Sequence, residues 1–377
     1  MRIAVNTRLL LKDKLDGIGW FTYETLRRIC KQHPEHEFIF IFDRPWHPDF
    51  IFAENITPVV IGPPSRHPFL WFIWFEYSVP RILKKYRADL FLSPDGYLSL
   101  RSRCPSIPVI HDINFFHRPK DLPLLSRWYY NFFFPRYAKK ATRIGTVSGF
   151  SKNDIAASYH ISPEKIDVMH NGANELYKPI DTVSQKRCRD LISGGKPYFI
   201  FIGTLHPRKN LANLLRAFEL FSNASAKDYK LVIVGARFFL TEELDRVYQA
   251  MKYKSDVIFS GRLGPEELVD ALAAAEALTF VPYFEGFGIP IIEAMNCDVP
   301  VIASNVTSLP EVAGDAAIYV NPADVEDIAA AMKRVVFEPG LRDELITRGR
   351  LRRDLFSWDK TAGELWKMIE KVLQIGE

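Results

Sequence analysis

Hydrophobic positions along this chain fall into short, nearly continuous runs, separated by longer stretches in which apolar residues recur every three or four positions. A short run that is apolar throughout suits a strand buried on both faces, and the recurrence between runs is that of helices covering such a sheet. The pattern predicts strands at Arg2–Asn6, Phe38–Phe42, Val59–Ile61, Asp89–Leu92, Pro108–His111, Arg143–Thr146 and Lys165–Met169. A second series follows at Tyr198–Ile202, Lys230–Val234, Val257–Phe259, Ala277–Val281, Val299–Ala303 and Ala317–Val320. Strands and helices alternating from end to end predict an α/β fold of parallel sheets with helices on both faces.

The rhythm breaks between Asn171 and Lys196, where Tyr177-Lys-Pro, a charged run and Ser193-Gly-Gly intervene. At about 150 residues per domain, 377 residues make two doubly wound, Rossmann-like domains, 1–175 and 176–356. Ser357-Trp-Asp-Lys then opens an amphipathic pattern to Leu373, so 357–377 reads as a helix packing back across the seam. Ligands of such sheets sit beyond the carboxyl ends of the strands, which points to a deep cleft between the facing domains.

Composition narrows the class. At 47% hydrophobic and 25% charged the chain is an ordinary globular one, not a disordered one. A net charge of +4, without a dense Lys/Arg tract, gives no reason to expect nucleic acid. Cys30, Cys104, Cys188 and Cys297 form no C-x-x-C pair, as expected of a reduced, cytoplasmic protein without a zinc site. The start, Met1-Arg-Ile-Ala-Val-Asn, runs directly into a strand without a signal-peptide core, and no apolar run nears the ~18 residues of a membrane span.

Two strand ends carry chemistry. Glu285 and Glu293 lie eight positions apart in Tyr-Phe-Glu-Gly-Phe-Gly-Ile-Pro-Ile-Ile-Glu-Ala (283–294). The apolar run Leu278–Pro282 leads into this glycine-bearing loop, and a helix pattern begins near Pro290 with Glu293 on its first turn. Backbone N–H groups at a helix N-terminus suit phosphate and carboxylates suit hydroxyls, so a nucleotide-sugar would satisfy every group. Alternatively, Glu293 is an ordinary first-turn carboxylate and Gly286 and Gly288 are turn residues. The second strand end is Gly203-Thr-Leu-His-Pro-Arg-Lys-Asn, which opens the helix pattern Leu211–Phe221 with Asn210 as N-cap. Arg208 and Lys209 there suit a diphosphate, arginine binding two oxygens and lysine acting as a point charge. The other reading of the pair is a solvated basic loop.

With Phe201-Ile-Gly-Thr-Leu-His-Pro-Arg-Lys-Asn, Gly261-Arg-Leu, Glu285-Gly-Phe-Gly-Ile-Pro-Ile-Ile-Glu-Ala, Pro300-Val-Ile-Ala-Ser and Leu309-Pro-Glu-Val in view, the chain resembles the retaining glycosyltransferases of the GT-B fold called group 1, or family 4. The resemblance implies that Arg208 and Lys209 hold the donor diphosphate beside Gly203, that Glu293 binds the ribose hydroxyls, and that Glu285 contacts the transferred sugar. It also implies that the N–H groups around Phe287, Gly288 and Ile289 cap the phosphate, while Arg262 and Leu263 line the base pocket. His111-Asp112 would reach the donor sugar through the imidazole or the His111 carbonyl; otherwise His111 is satisfied at a strand end and Asp112 caps the next turn. Asp16-Gly17-Ile-Gly19, ahead of a helix Trp20–Cys30, would be the acceptor-side loop, although the family often has two adjacent glycines where Asp16 and Gly17 stand. Thr146-Val-Ser148-Gly-Phe-Ser151 matches the family's T-V-S-x-x-S, which puts Ser148, with Asp112, on the acceptor side and leaves Ser151 as N-cap. No Asp-x-Asp triplet occurs, so neither a metal nor another cofactor is expected, and cations with a helix dipole would stabilise the leaving group.

The implied activity is hexose transfer, with mannose or glucose as the donor sugar, to a glycan or lipid-linked acceptor in surface polysaccharide synthesis. Two rivals stay open: a nucleotide-sugar epimerase of similar fold, and a non-catalytic nucleotide-sugar-binding subunit. An anionic membrane surface is a further expected partner, on the inner face of the cytoplasmic membrane. Arg136, Lys139, Lys140 and Arg143 follow the aromatic run Trp128–Phe134, and Arg81, Lys84 and Lys85 follow Phe69–Tyr77, as in an interfacial helix. The competing account makes those aromatics core and the cations its solvated face.

Overall fold

The computed structural model describes residues 1–225, 228–235 and 242–374. Two compact units emerge, one of Met1–Gly172 with the chain from Ser357 onward, the other of Ala173–Phe356. In the first unit β1 (Arg2–Asn6), β2 (Glu37–Phe42), β3 (Ile56–Val60), β4 (Leu90–Ser93) and β5 (Ser106–Pro108) form a parallel sheet in the order β3-β2-β1-β4-β5. β6 (Ile144–Thr146) and β7 (Ile166–Val168) make a separate parallel pair, joined to the rest through a Val109–Gly145 bridge. The expected strand Pro108–His111 therefore stops at Pro108. Val109 N–H still bonds the Ser93 carbonyl, but Ile110 N–H bonds Gly145, so the chain crosses from β4 to β6 and leaves His111 beyond the strand.

Most of the aromatic residues of the first unit are core. Trp74, Phe75, Tyr97, Tyr129, Phe133, Phe134 and Tyr137 belong to one buried cluster, and the Tyr129 and Tyr137 hydroxyls are hydrogen-bonded at 2.8 Å. The expected basic stripe is broken up. Arg136 lies on the helix Leu124–Lys140, with its guanidinium 3.6 Å from the centroid of Phe132. Arg143 is off that helix, held in a fork by Asp167 at 2.5 and 2.9 Å.

The helix Trp358–Gln374 packs on the helix Gly17–Gln32. Trp366 stacks on His33 at 3.6 Å, and Arg28 joins Glu24 to Asp359. Residues 375–377 of the expected C-terminal helix lie outside the described residues. Gly172 is required by this packing, because a Cβ there would fall 2.3 Å from the Trp358 nitrogen.

The second unit holds β8 (Tyr198–Ile202), β9 (Lys230–Val234), β10 (Val257–Gly261), β11 (Ala277–Phe280), β12 (Val301–Ser304) and β13 (Ala317–Val320). They are parallel in the order β10-β9-β8-β11-β12-β13. Every residue of β8 is buried, as a central strand covered on both faces must be. Chain connections leave β8 towards β9 and return at β11, so the crevice at the carboxyl ends of β8 and β11 is the switch point where doubly wound sheets bind ligands.

Candidate active site

Both expected donor loops meet at that switch point. Gly203 follows β8 with φ +154°, in backbone contact with Gly235, where an added Cβ would fall 1.8 Å from the Gly203 carbonyl oxygen. Gly203 N–H bonds the Val234 carbonyl at 3.0 Å, and Gly235 N–H bonds the Gly261 carbonyl at 2.9 Å. These glycines close the ends of three neighbouring strands without side chains. Gly235 went unnoticed in the sequence, though Val234-Gly235 repeats the strand-then-glycine pattern of Ile202-Gly203.

Pro207–Lys209 forms a 3-10 turn that aims two cations at one carboxylate. Arg208 Nη1 and Lys209 Nζ both donate to Glu285 Oε1, and Arg208 Nη1 also donates to the Phe284 carbonyl at 3.0 Å. Lys209 and Glu285 are only 7% and 8% exposed. Lys209 Nζ also stands 4.8 Å from the centroid of Phe280. Burial alone would raise the Glu285 carboxyl, but Arg208 and Lys209 outweigh it and hold the group below its ordinary range. The pair is thus no solvated loop. Thr307, a β-branched residue at φ +58°, adjoins this loop through its Oγ1, and the neighbouring Ser308 hydroxyl donates to the Glu285 carbonyl at 2.9 Å.

Asn210 occupies the N-cap place, but its side chain does not cap. At φ +62° it directs Nδ2 to the carbonyls of Val281 (3.0 Å) and Pro322 (2.7 Å), tying the Arg208 loop to the ends of β11 and β13.

Gly288 precedes the helix Ile289–Asn296 in the left-handed region, φ +96°, and a Cβ there would meet Leu309 at 2.8 Å. Gly288 gives this helix no side-chain cap, and Phe287, Gly288 and Ile289 at its N-terminus follow Glu285 and Gly286. Glu293 is not on the first turn as expected; the helix starts at Ile289, which puts it on the second, away from the dipole's positive end. Burial pushes the Glu293 carboxyl up to about 7, and the nearby Tyr177 hydroxyl pulls the other way. Arg262 and Leu263 follow β10, two strands from β8, roughly 10 Å at ordinary strand spacing.

In the first unit several expected acceptor-side groups are engaged in local structure. The helix begins at Gly17, not Trp20, because Asp16 accepts the Gly19 N–H at 3.0 Å and so caps it. Gly17 and Gly19 therefore lie inside a helical turn rather than a loop, and the Gly19 N–H is engaged by Asp16. The small residue at 19 is needed because a Cβ would meet Leu15 at 3.0 Å and the Leu9 carbonyl at 3.2 Å. Ser148, not Ser151, caps the helix Gly149–Tyr159, its Oγ accepting the Ser151 N–H at 3.0 Å. Asp112 caps the next turn, accepting from Asn114 N–H at 2.9 Å.

The His111 ring lies edge-on to Phe21, with Nε2 2.8 Å from the Pro94 carbonyl. That geometry places the proton on Nε2, and burial lowers the imidazole's basicity, so the ring is held neutral. The His111 carbonyl accepts from Ser151 Oγ at 3.1 Å. Next to this loop is a network the sequence did not reveal. Asp95 binds Arg8 Nε at 2.6 Å and Asn6 Nδ2 at 2.7 Å, at the carboxyl ends of β1 and β4, the switch point of this sheet.

Comparison with known proteins gives one consistent picture. The family model for "Glycosyl transferases group 1" matches residues 184–352 and that for "Glycosyltransferase Family 4" matches 15–175. O-antigen chain mannosyltransferase B of Escherichia coli is 30% identical over 281 residues, 74% of this chain and 73% of that protein. O-antigen chain mannosyltransferase RfbU of Salmonella typhimurium is 28% identical over 288 residues, 75% and 76% of the two chains. Among solved structures, WaaG, a glycosyltransferase involved in lipopolysaccharide biosynthesis, superposes with a TM-score of 0.75 at 14% identity, covering 99% of each chain. Anabaena Alr3699/HepE in complex with UDP-glucose gives 0.75 at 16% identity, covering 98% of this chain and 100% of that one. These likenesses establish the fold as GT-B.

Proposed function

The chain belongs to the glycosyltransferases of group 1 and family 4, and from that premise we propose that it transfers mannose from a nucleotide-sugar, with retention, to a glycan or lipid-linked acceptor of a surface polysaccharide. The observation that carries this reading is the convergence of Arg208, Lys209 and Glu285 at the switch point of the second sheet. A donor diphosphate placed there takes over the two cations, and Glu285, released from them, accepts hydrogen bonds from the sugar hydroxyls. The bond from the anomeric carbon to the phosphate oxygen then breaks, the acceptor oxygen bonds that carbon on the same face, and the acceptor proton goes to the departing phosphate oxygen. Two fixed cations supply the charge stabilisation that a metal gives in other transferases, so no metal is assigned a part. Glu293 takes the ribose hydroxyls, and His111, as a neutral imidazole, serves the transferred sugar. Mannose is favoured over glucose by the activities of the relatives.

The test is incubation with GDP-mannose, UDP-glucose and other nucleotide-sugars, with and without lipid-linked acceptor and with EDTA, followed by NMR of the product anomer. Nucleotide released only with acceptor, EDTA-resistant, and product of the donor's anomeric configuration is the expected result. Sugar isomerisation without acceptor supports the epimerase, binding without turnover the silent subunit, and either overturns the proposal.

We place the enzyme at an anionic membrane, through the start of the helix Leu124–Lys140 rather than its basic end. Leu124 is 80% and Trp128 57% exposed, with Leu125, Phe132 and Phe116 also exposed. A hollow of ≈ 580 Å³ lies among them, flanked by Arg127 and Arg136. The nearby Asp121 is engaged by Arg118 at 2.6 Å. Exposed aromatics beside cations suit an anionic interface. Flotation with anionic and neutral liposomes should show a salt-sensitive preference for the anionic ones that Trp128→Ser with Arg127→Gln removes; binding unaffected by that change refutes the assignment.

A further inference from the structure

In the first unit Arg8 follows the end of β1 and is only 8% exposed. Asn6 Oδ1 accepts its backbone N–H at 3.3 Å, and the guanidinium lies over the Tyr97 ring, 4.4 Å from the centroid. Nε donates to Asp95 Oδ2 at 2.6 Å. Burial works against the charge on this guanidinium, and Asp95 outweighs it. One edge and one face of the group are thus fixed. The other edge is not. Nη1 makes a single long contact, 3.4 Å to the Ser65 hydroxyl. Nη2 meets no acceptor among the described residues yet is not enclosed, so this end of the guanidinium reaches the surface. An arginine carries five N–H donors, and with Nε and one on Nη1 engaged, more than half are left over, where buried polar groups are normally paired. The neighbouring carboxylates cannot take them. Asp95 accepts from Arg8, Asn6, Ser93 and the Tyr97 N–H. Asp43 accepts twice from Arg44 and twice from Ser65. Each carboxylate is therefore at about its full capacity of four hydrogen bonds.

We propose that Arg8 is a specificity-determining residue for the acceptor, its Nη1 and Nη2 edge gripping two oxygens of an acceptor oxyanion, a phosphate or a carboxylate. What the cluster has left to offer is all donor. A sugar hydroxyl would bring a proton that neither Asp43 nor Asp95 has a lone pair to receive, whereas an oxyanion brings only acceptors, and its paired oxygens match the spacing of the two nitrogens. Asp95 holds the guanidinium in place by its opposite edge, and Tyr97 by its face. The oxyanion site follows from this geometry; its assignment to the acceptor rests on the glycosyl-transfer reading above.

The experiment is calorimetric titration of the whole enzyme with methyl phosphate, glucuronate and glucose, with GDP or UDP held at saturation so that Arg208 and Lys209 are occupied. The parent should bind the two anions in a salt-sensitive way and glucose not at all over the same range. Arg8→Lys keeps a charge for Asp95 but loses the two-nitrogen edge. It should melt close to the parent and bind the anions on the order of tenfold more weakly, the worth of one charge-assisted hydrogen bond. In the transfer assay at saturating nucleotide-sugar, the same anions should compete with the acceptor. Stronger binding of methyl phosphate assigns the site to the phosphate of a lipid-linked acceptor, stronger binding of glucuronate to an acidic sugar, and both support it. If Arg8→Lys does not fold, parent crystals soaked in tungstate decide the matter: anomalous density at Nη1 and Nη2 is expected, and its absence there overturns the proposal. Equal anion affinity of parent and folded Arg8→Lys, or no anion binding by the parent, overturns it as well, even where transfer is intact. Anion binding that depends on Arg8, with no transfer from any nucleotide-sugar, instead supports the oxyanion site and removes the glycosyl-transfer reading and the acceptor assignment with it.

Discussion

Replacing Glu285 by Gln should strengthen binding of a nucleoside diphosphate while nearly abolishing transfer. One carboxylate serves two cations, buried Lys209 and half-buried Arg208. An incoming diphosphate meets that carboxylate as a competitor and as a like charge. At an effective dielectric of about 20 and about 4 Å, one unit of charge against another is worth roughly 4 kcal/mol. Partial exposure of Arg208 and relaxation of the loop reduce this, and about 1.5 to 3 kcal/mol of the repulsion should remain to be gained. Affinity for GDP or UDP should thus rise about tenfold to a hundredfold at 1.4 kcal/mol per decade. The same change removes the carboxylate that buried Lys209 shares with half-buried Arg208, a loss of about 3 to 5 kcal/mol. The variant should therefore melt roughly 6–12 °C or more below the parent, and added diphosphate should restore much of the difference. Titration calorimetry with the free nucleotide and a thermal melt with and without inorganic diphosphate measure both. Unchanged or weaker nucleotide binding in a folded Glu285→Gln would refute the account of Glu285 as occupant of the diphosphate cations.

Lys209→Ala should cut kcat on the order of 10² or more at saturating donor and lower the melting temperature, since it removes the more buried of the two cations on Glu285; Arg208→Ala, at a more exposed position, should cut turnover similarly with a smaller thermal loss. Gly235→Ala should destabilise by several kcal/mol, on the order of 3, because its Cβ would overlap the Gly203 carbonyl, whereas Gly363→Ala, with open space on the C-terminal helix, should stabilise by about 0.5–1 kcal/mol; urea melts of the two variants provide the comparison. Glu293 is raised from 4.5 to about 7, so the stability it contributes is full below about 4.5 and lost as pH rises through about 7. Glu293→Gln should accordingly match the parent near pH 4.5 and melt above it at pH 8, while losing nucleotide affinity; a variant less stable than the parent at pH 8 would contradict the raised value.

What the sequence could reveal depended on the range of the interaction involved. Tyr198–Ile202 was legible to the residue, because a strand buried on both faces must be apolar at every position. Arg208, Lys209 and Glu285 could be placed at strand ends by the same local logic, since each follows an apolar run and a nearby glycine or proline. Their mutual contact was not legible. It spans 76 and 77 residues and exists only because β11 lies beside β8, an order set by the crossover connections rather than by any local pattern. The misplaced helix starts have the opposite origin. Asp16 and Ser148 each accept an N–H three residues on, so the signal is local, and in sequence a cap looks the same as a ligand-binding group. Asn210 combines both cases. Its identity suggested a cap, yet its left-handed backbone turns the amide towards Val281 and Pro322. Polar residues at strand ends thus divide into those consumed by capping, such as Asp112 and Ser148, and those whose partners arrive from distant strands. The second kind, Arg208, Lys209 and Glu285, consists of long side chains brought together where β8 and β11 lie side by side. A ligand of matching charge can enter such a cluster by exchanging partners with the Glu285 carboxylate.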